Sequence, residues 1–482
     1  MVRRAFAFSL ILFVHTINCK AQTPVIYKVF TPAGDTILID SMRSVIIDNF
    51  FVTGNKKTHE GYILRELSVK KGESFLFKDL RKLLDRDAQK IFNLRIFEES
   101  HTNVILKEND LVDIEVKVRE RWYLWPIPIF RIADRNFNAW WSTRERDLSR
   151  LLYGVTLDHS NIRGRGERLR LTAQFGFTRN FQLFYSKPYI DKERKYGFAA
   201  LFGFTEFKNL AYQSRNDEFD FLSIDKGLLR EAYSAAVAFN YRPNFFTRHG
   251  LSLGYLHNNI ADTIAVLNPE YLLDGRRKQQ AFWVGYSVIY DNRDLVYYPL
   301  KGTYFSFVLN RTGMGIYNDV GIWSTEARFT KLFDLGKNFY YASHFQVNAS
   351  APFRQPFINQ QRMGFFENFV RGYELSVVEG PIWLLNRNTI RKRLFKDAFR
   401  IRNFTKMDQF ASLPLGLYLG AFIDIGWAEK YPNTDSRFNN TLLLGTGLGL
   451  DIVTFYDIVI RLEYSYNLEK ETNFFLNVRA AI

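Results

Sequence analysis

The feature that most constrains the fold of this chain is a two-residue alternation of apolar and polar side chains, which recurs from about residue 122 to residue 482. In residues 458–467, for example, the apolar positions alternate with positions that include Arg461 and Glu463. Successive side chains of a β-strand point to opposite faces, so the alternation predicts strands with one apolar and one polar face. The runs have about the 9–11 residues that a tilted membrane-crossing strand needs.

Two folds are compatible with this alternation. A large secreted β-sandwich also alternates, with its apolar face in the core. However, we count sixteen candidate strands, and many of the 46 Phe, 26 Tyr and 8 Trp residues fall near strand ends, as in interfacial girdles. Lipid also excludes open sheet edges, which favours closure. We therefore predict a mainly β chain with a 16-stranded antiparallel transmembrane β-barrel over residues 122–482.

The first residues of the chain are typical of a signal peptide. Arg3 and Arg4 precede an apolar run over residues 5–14, and the small residue Ala21 follows. We expect cleavage after Ala21, so that residues 1–21 are removed. A core helix and a lipid-modified Cys19 are the alternatives. Asn18 disfavours the second, because that modification needs a small residue before the cysteine.

Charge narrows the choice of partners. The formal net charge is +15, and the expected leader carries three of these positive charges and no acid, which leaves +12. A basic balance favours nucleic acid or an anionic surface. Because the chain is expected to be exported, we predict no nucleic-acid partner and favour outer-membrane lipids or lipopolysaccharide.

A different pattern occupies residues 43–120. A strand near residues 44–52, two helices and two further strands follow one another, which predicts a small α/β domain of order β-α-α-β-β. If this domain lies in the periplasm, strand 1 of the barrel runs outward. Residues 212–227, 262–278 and 351–376 then form outer loops. We expect strand 12 to end at residue 390 and a basic turn to follow over residues 391–406. A solvated turn and contact with inner-leaflet head groups are equally compatible with its composition.

Several short motifs occur in a fixed order. They are Gly54-Asn55-Lys56-Lys57-Thr58, Asn161-Ile162-Arg163-Gly164-Arg165-Gly166, Lys187-Pro188-Tyr189, Asp291-Asn292-Arg293-Asp294, Val370-Arg371-Gly372-Tyr373 and Phe422-Ile423-Asp424-Ile425-Gly426. Together they resemble the BamA/TamA family of bacterial outer-membrane assembly factors, the surface-antigen barrel family. The resemblance implies that residues 43–120 form one POTRA domain. It also implies that Val370, Arg371, Gly372 and Tyr373 belong to a loop folded back into the barrel lumen.

The alternation of side chains along the thirteenth predicted strand, residues 413–427, supports one part of this resemblance independently. Asp424 falls in the lumen-facing set together with Phe422 and Gly426, because the other set is uniformly apolar. A lumen carboxylate could hold Arg371 in a bidentate pair and so fix the loop. The alternative is that Arg371 and Asp424 are separately solvated, as most charges are.

The sequence carries no signature of catalysis. It has seven His and one Cys and lacks the Gly-x-Ser-x-Gly and His-Glu-x-x-His motifs. The glycines at 445, 447 and 449 lie within a strand with no helix after it, so they do not fit a nucleotide loop. We expect no enzyme, no catalytic residue, no metal and no cofactor.

The resemblance implies that the chain assists insertion, assembly or translocation of other proteins through a laterally opening barrel. Pro126 and Pro128 should shorten the pairing of strand 1 with strand 16, whose outward residues include Phe474 and Ile482. Unfolded client proteins and accessory periplasmic proteins are the implied partners. A dedicated two-partner-type secretion pore and a plain diffusion porin are the alternatives.

Overall fold

The computed structural model describes most of the chain, namely residues 26–30, 36–132, 146–191, 193–224, 226–317, 319–364, 368–374, 376–400, 412–432, 436–454 and 458–480. The expected leader, residues 1–21, lies outside the described residues. Among the residues described, no helix has the length and apolar character to cross a membrane.

The N-terminal domain is a six-stranded mixed sheet packed against two helices. Its strands are β1 (Ile26–Phe30), β2 (Thr36–Asp40), β3 (Ser44–Thr53), β4 (Ser74–Leu76), β5 (Phe97–Leu106) and β6 (Leu111–Glu120), and its helices are α1 (Glu60–Leu64) and α2 (Phe77–Phe92). The sheet order is β2-β1-β5-β6-β3-β4. Helix α2 buries Leu80, Leu84 and Ile91 at helical spacing against the sheet.

The predicted β-α-α-β-β order is present as β3-α1-α2-β5-β6, and the structure adds three strands to it. Strand β4 is a short edge strand, and the β1–β2 hairpin extends the sheet beyond β5. The hairpin precedes residue 43, where the predicted domain began. Each of its strands has only five residues, too few to carry a strong alternation.

Sixteen further strands form one antiparallel sheet in which each strand pairs with the next in chain order. They are β7 (Leu124–Ile132), β8 (Leu151–His159), β9 (Arg168–Gly176), β10 (Thr178–Lys187), β11 (Tyr196–Phe207), β14 (Arg230–Tyr241), β15 (Thr247–Ile260), β16 (Lys278–Asp291), β17 (Gly302–Thr312), β18 (Ile322–Gly336), β19 (Phe339–Ala351), β22 (Ile382–Arg400), β23 (Ser412–Ala428), β24 (Leu443–Thr454), β25 (Ile458–Asn467) and β26 (Thr472–Ala480). The predicted mainly β fold with sixteen antiparallel strands is confirmed.

Outer loops carry the remaining elements. These are the hairpin β12 (Asn209–Arg215) and β13 (Glu218–Ser223), helix α3 (Asp262–Leu267), and the two-residue strands β20 (Arg362–Met363) and β21 (Val378–Glu379). Leu210, Phe219, Ile264 and Phe357 from three of these loops pack in one buried cluster. The outer loops therefore cover the outer end of the sheet as a packed layer.

The two faces of the large sheet differ as the alternation requires. Leu419 and Ile423 of β23 are each 46% exposed, whereas Phe422 and Asp424 between and beside them are almost fully buried. Phe474, Leu476 and Val478 of β26 share one exposed face. The outward face is therefore apolar and suited to lipid, and the inward face carries the charges.

One predicted boundary is wrong. Strand β22 does not end at residue 390 but continues to Arg400, so residues 391–400 are strand and not turn. A β-bulge between Arg393 and Phe395 adds one residue and inverts the alternation at that point. Basic residues and the shifted parity conceal the strand in the sequence. Residues 401–406 of the predicted turn lie outside the described residues.

The sheet has two ends, β7 and β26, and no ladder joins their described residues. Strand β7 pairs continuously with β8 from Leu124 to Ile132. An uninterrupted ladder needs the backbone donors on that side, so the donors missing at Pro126 and Pro128 belong to the other edge, which faces β26. The proline edge is therefore poorly suited to close the seam between β7 and β26.

Candidate functional site

The candidate site is a segment of the long outer connection between β19 and β22. We call residues 368–374 the inward loop. Strands β20 and β21 pair at the base of this connection, Arg362 opposite Glu379, and return the chain toward the lumen. Val370, Arg371 and Tyr373 are each at most 6% exposed. The loop is thus packed against the inner face of the sheet.

Arg371 and Asp424 are in direct contact. The guanidinium Nε donates to Asp424 Oδ2 at 2.7 Å, and Nη2 donates to Oδ1 at 2.6 Å. The backbone N–H of Arg371 also donates to Oδ2, at 3.2 Å. Two parallel charge-assisted bonds fix the orientation of the guanidinium as well as its distance from the carboxylate.

Three neighbours complete the surroundings of this guanidinium. Glu463 of β25 accepts from Nη1 at 3.1 Å, and Thr389 of β22 accepts from Nη2 at 3.0 Å. The ring of Phe422 lies 3.7 Å from the guanidinium carbon, a cation–π contact. Three strands, β22, β23 and β25, thus contact the Arg371 side chain.

Glu463 and Thr389 were not singled out in the sequence as site residues. Strand parity carried a usable signal for one of them. Glu463 lies in the polar set of residues 458–467, which the same rule that selected Asp424 places inward. Thr389 has no comparable signal, because a Thr is common on either face of a strand.

Glycines of the facing strands make room for the loop. A Cβ added to Gly445 would lie 1.7 Å from the Arg371 carbonyl oxygen, and one added to Gly426 would lie 2.4 Å from a methyl of Val370. Gly372 itself adopts φ +99°, a conformation that side chains disfavour. Its carbonyl accepts from Asn467 Nδ2 at 2.7 Å. The glycine strand that superficially resembles a nucleotide loop therefore receives the inward loop.

A second inward element comes from the periplasmic end. The turn over residues 292–301 places Tyr298 inside, where its hydroxyl donates to Asp451 at 2.8 Å. Asp451 also accepts from Arg461 at 2.7 Å, and Arg461 lies 4.0 Å from Glu463, the partner of Arg371. A continuous line of polar contacts therefore connects the periplasmic turn with the inward loop.

The N-terminal domain rests on four periplasmic turns of the sheet. The amide of His59 donates to Gly164 O at 2.8 Å, and Asn93 Nδ2 donates to Asp294 O at 3.0 Å. The ring of Tyr189 stacks 5.8 Å from a tyrosine of α1. Between these contacts, Arg242 of the fourth turn reaches into the domain. Helix α2 contacts both this turn, through Lys90 and Phe245, and the turn that carries Tyr298.

Arg242 forms a bidentate pair with a buried carboxylate of the N-terminal domain. Nη1 and Nη2 donate to the two oxygens of Glu66 at 2.7 and 2.8 Å, and the Glu66 side chain is 1% exposed. Burial alone would raise the pKa of Glu66. The hydrogen bonds and charge of Arg242, with Arg65 beside it, outweigh burial and hold this pKa below its ordinary value of 4.5.

We expect Glu66→Gln to loosen the contact between the domain and the sheet. The change leaves the Arg242 charge without a counter-ion and costs about 3 kcal/mol, near the lower end for a buried pair because Arg242 keeps some access to water. Hydrogen exchange at residues 58–67 should accelerate. The control is Glu60→Gln, which changes an exposed acid of helix α1, and it should leave exchange unchanged.

Acid should have the same effect on the unmodified chain. A carboxyl group whose pKa is lower in the folded state than in the unfolded state stabilises the fold fully at pH values above its unfolded-state pKa. This stabilisation is lost as the pH falls through the lower, folded-state pKa. Protection of residues 58–67 against exchange, relative to the intrinsic rate at each pH, should therefore be constant near neutrality and decrease below about pH 4.5. Equal acid sensitivity in Glu66→Gln would contradict this assignment.

The seam residues occupy the two ends of the sheet. Pro126 and Pro128 lie on the free edge of β7, and Phe474 is 60% exposed on β26. Ile482 lies outside the described residues. No cluster of three potential metal ligands occurs in the described parts of the chain.

Together these features define a class: an outer-membrane-type β-barrel with an arginine-anchored inward loop and an N-terminal α/β domain. Residues 161–474 match the family model described as the Omp85 superfamily domain. Residues 45–121 match the POTRA model, described as surface antigen variable number repeat. The chain belongs to the Omp85 superfamily. It is accordingly an outer-membrane protein whose POTRA domain lies in the periplasm, and members of this superfamily are non-enzymatic assembly or transport proteins.

Individual relatives resemble the chain over different lengths. An 87-residue stretch is 31% identical to the outer membrane protein assembly factor BamA of Nitratidesulfovibrio vulgaris and covers 18% of this chain but only 10% of that protein. The structure of BamA from Haemophilus ducreyi lacking POTRA domains 1–3 superposes with a TM-score of 0.51 at 15% identity, covering 95% of this chain and 88% of the other. CdiB from Escherichia coli gives 0.52 at 14% identity, covering 94% and 80%.

Proposed function

We propose that this protein assists the insertion, assembly or translocation of other proteins at the outer membrane through a barrel that opens laterally. The observation that carries the proposal is the seam between β7 and β26, where no ladder joins the described residues. A strand edge with free backbone groups can accept an incoming strand by β-augmentation. Because no covalent bond is made or broken in such a step, the function requires no catalytic residue and no cofactor.

The two edges of the seam offer different backbone groups to a client strand. The β7 edge lacks donors at Pro126 and Pro128, whereas residues 472–480 of β26 contain no proline. The β26 edge is therefore better equipped to bind an incoming strand, and the β7 edge is the one that releases easily. Because of this asymmetry, a client strand could separate β7 from β26 without first breaking a full set of backbone hydrogen bonds.

The inward loop would keep the barrel in shape while its seam is open. Arg371 fastens the loop to Asp424, Thr389 and Glu463, which lie on strands close to the β26 end of the sheet. When the seam is open, the sheet is no longer closed into a barrel, and the remaining strand ladders alone do not fix its curvature. Contacts between the inward loop and the inner face of the sheet would then hold the strands in place. We propose this structural role for Val370, Arg371, Gly372 and Tyr373, with Asp424, Phe422 and Gly426 as their receiving surface.

The proposal includes a division of the chain and a set of partners. Residues 1–21 would be a signal peptide, residues 43–120 the POTRA domain and residues 122–482 the barrel. Unfolded outer-membrane or secreted proteins would be the clients, and periplasmic accessory proteins could attach to the POTRA domain. Outer-membrane lipids and lipopolysaccharide would surround the barrel, with no role for nucleic acid.

A dedicated two-partner-type secretion pore is the second candidate. The fold supports both equally, because the TM-scores with the BamA and CdiB structures differ by only 0.01. Depletion in the native host distinguishes them. We expect many outer-membrane proteins to fall in abundance together, measured by quantitative proteomics of isolated outer membranes. Loss of one secreted protein, with the other outer-membrane proteins unchanged, would favour the pore and contradict general assembly.

A further inference from the structure

Strands β22 and β23 extend well beyond their neighbours at the periplasmic end. The last β22 residue paired with β19 is Lys392, opposite Phe339. The last β23 residue paired with β24 is Gly416. Beyond these points the described residues of the two strands form a ladder only with each other. We call residues 391–400 and 412–417 the periplasmic hairpin, which includes the last residues that pair with β19 and β24. Phe399 lies seven residues past Lys392, about 23 Å along the strand.

One face of the periplasmic hairpin is apolar and continues the lipid-facing surface. After the bulge, Phe395 lies opposite Leu417 and Phe399 opposite Leu413, on the side where Leu419 faces outward. The two phenylalanine rings stack 6.0 Å apart and are 38% and 46% exposed. An apolar face that is continuous with a lipid-facing wall is suited to the membrane boundary.

The cations of the hairpin divide into two groups. Arg391 is held by Asp451 in the lumen, and Arg393 is bound to Asn338 of the neighbouring turn. Lys392 and Lys396 are exposed, and within the described residues neither has a carboxylate at ion-pair distance. Lys392 lies opposite Leu419 on the apolar face, whereas Lys396 lies opposite Gly416 on the other face of the hairpin. Exposed cations on both sides of an apolar face are suited to the phosphates at that boundary.

The alternative is that the hairpin binds a client protein, whose strand would pair with the free edge of the hairpin. Two features argue against this alternative. Natural sheets protect a free edge with a bulge or a lysine, and this edge has both, at Leu394 and Lys396. Asp397 is exposed on the apolar face of the hairpin, and a carboxylate is tolerated among lipid head groups but not in hydrocarbon. Asp397 therefore limits how deeply the hairpin can enter the membrane.

We propose that the periplasmic hairpin lies in the head-group region of the periplasmic leaflet of the outer membrane and binds anionic phospholipid there through Lys392 and Lys396. Phe395 and Phe399 face the acyl-chain boundary. This inference goes beyond the proposed function and holds whether the barrel assembles or secretes proteins.

The test uses the full chain in nanodiscs of phosphatidylcholine, with or without phosphatidylglycerol. A bimane label on Leu394→Cys reports proximity to spin-labelled lipid by quenching, and native mass spectrometry reports which lipids stay bound. We expect quenching in both discs and enrichment of phosphatidylglycerol among the retained lipids. Lys392→Gln with Lys396→Gln should reduce that enrichment by about 25-fold, since each interfacial lysine contributes about fivefold.

The matched control is Lys430→Gln with Lys470→Gln, which removes the same charge from exposed positions on the outer side. Heat-modifiable migration in gels verifies that each variant contains a folded barrel. An unquenched label, or equal enrichment in the two double variants, overturns the proposal. If the bimane label were protected from quenching only after an unfolded barrel protein is added, the hairpin would be a binding site for client proteins. That result would overturn the proposal as well.

Discussion

Arg371→Ala should destabilise the barrel and abolish its assembly activity, although Arg371 is not on either strand of the seam. The substitution removes the cation that bonds both Asp424 and Glu463, and it leaves these buried carboxylates only the longer contacts to Arg387, at 3.8 Å, and Arg461, at 4.0 Å. Removing one partner of a buried pair costs about 3–5 kcal/mol. The inward loop should then become accessible to protease, and heat-modifiable migration should be lost at a lower temperature than in the unmodified chain.

Arg437→Ala is the matched control for this experiment. Arg437 also pairs with a buried aspartate, Asp217, at 3.2 Å, but its own side chain is 61% exposed in an outer loop. An exposed partner of this kind contributes at most about 1 kcal/mol. Arg371→Lys should be intermediate, because lysine keeps the charge but cannot form the two parallel bonds. If Arg371→Ala and Arg437→Ala had equal stability and activity, the anchoring role would be wrong.

Locking the seam should stop the protein's activity while leaving the barrel folded. Phe130 of β7 and Phe474 of β26 both project outward, 74% and 60% exposed, so a disulfide between Phe130→Cys and Phe474→Cys would join the two free edges. Under oxidising conditions we expect the levels of outer-membrane proteins to fall as in depletion. Adding a reductant should restore them.

The control for this lock uses the opposite edge of the same strand. Phe130 pairs directly with Tyr153 of β8, so Phe130→Cys with Tyr153→Cys bridges two strands that are already paired. That bridge should leave assembly intact in both redox states. Full assembly by the oxidised Phe130–Phe474 lock would show that the seam does not need to open.

The alternation of side chains predicted most of the fold because a barrel strand is a simple local pattern. Strand number, direction and the inward position of Asp424 all follow from period two and from the topology of hairpins. The alternation alone does not predict that Arg371 pairs with Asp424, because the two residues are 53 positions apart. Parity identified the carboxylate as inward, but only the resemblance to a family indicated which loop would reach it.

The parts that could not be predicted depend on tertiary contact or on local irregularity. Nothing in the sequence near Glu66 indicates that an arginine 176 residues later will pair with it. Tyr298 lies in a turn where inward and outward positions have no period. The bulge at Leu394 inverts the parity of β22, which is why the periplasmic hairpin was assigned to a basic turn.

The most direct test of lateral opening is to find where a client touches the barrel during assembly. A photo-crosslinking residue at Leu476, on the outward face of β26, reports the seam, and one at Gln346, which is 2% exposed on the inward face of β19, reports the lumen. In cells pulse-labelled during synthesis of outer-membrane proteins, we expect client adducts at Leu476 that disappear once the clients have folded. Adducts confined to Gln346, with none at Leu476, would indicate passage through the lumen and contradict assembly at the seam.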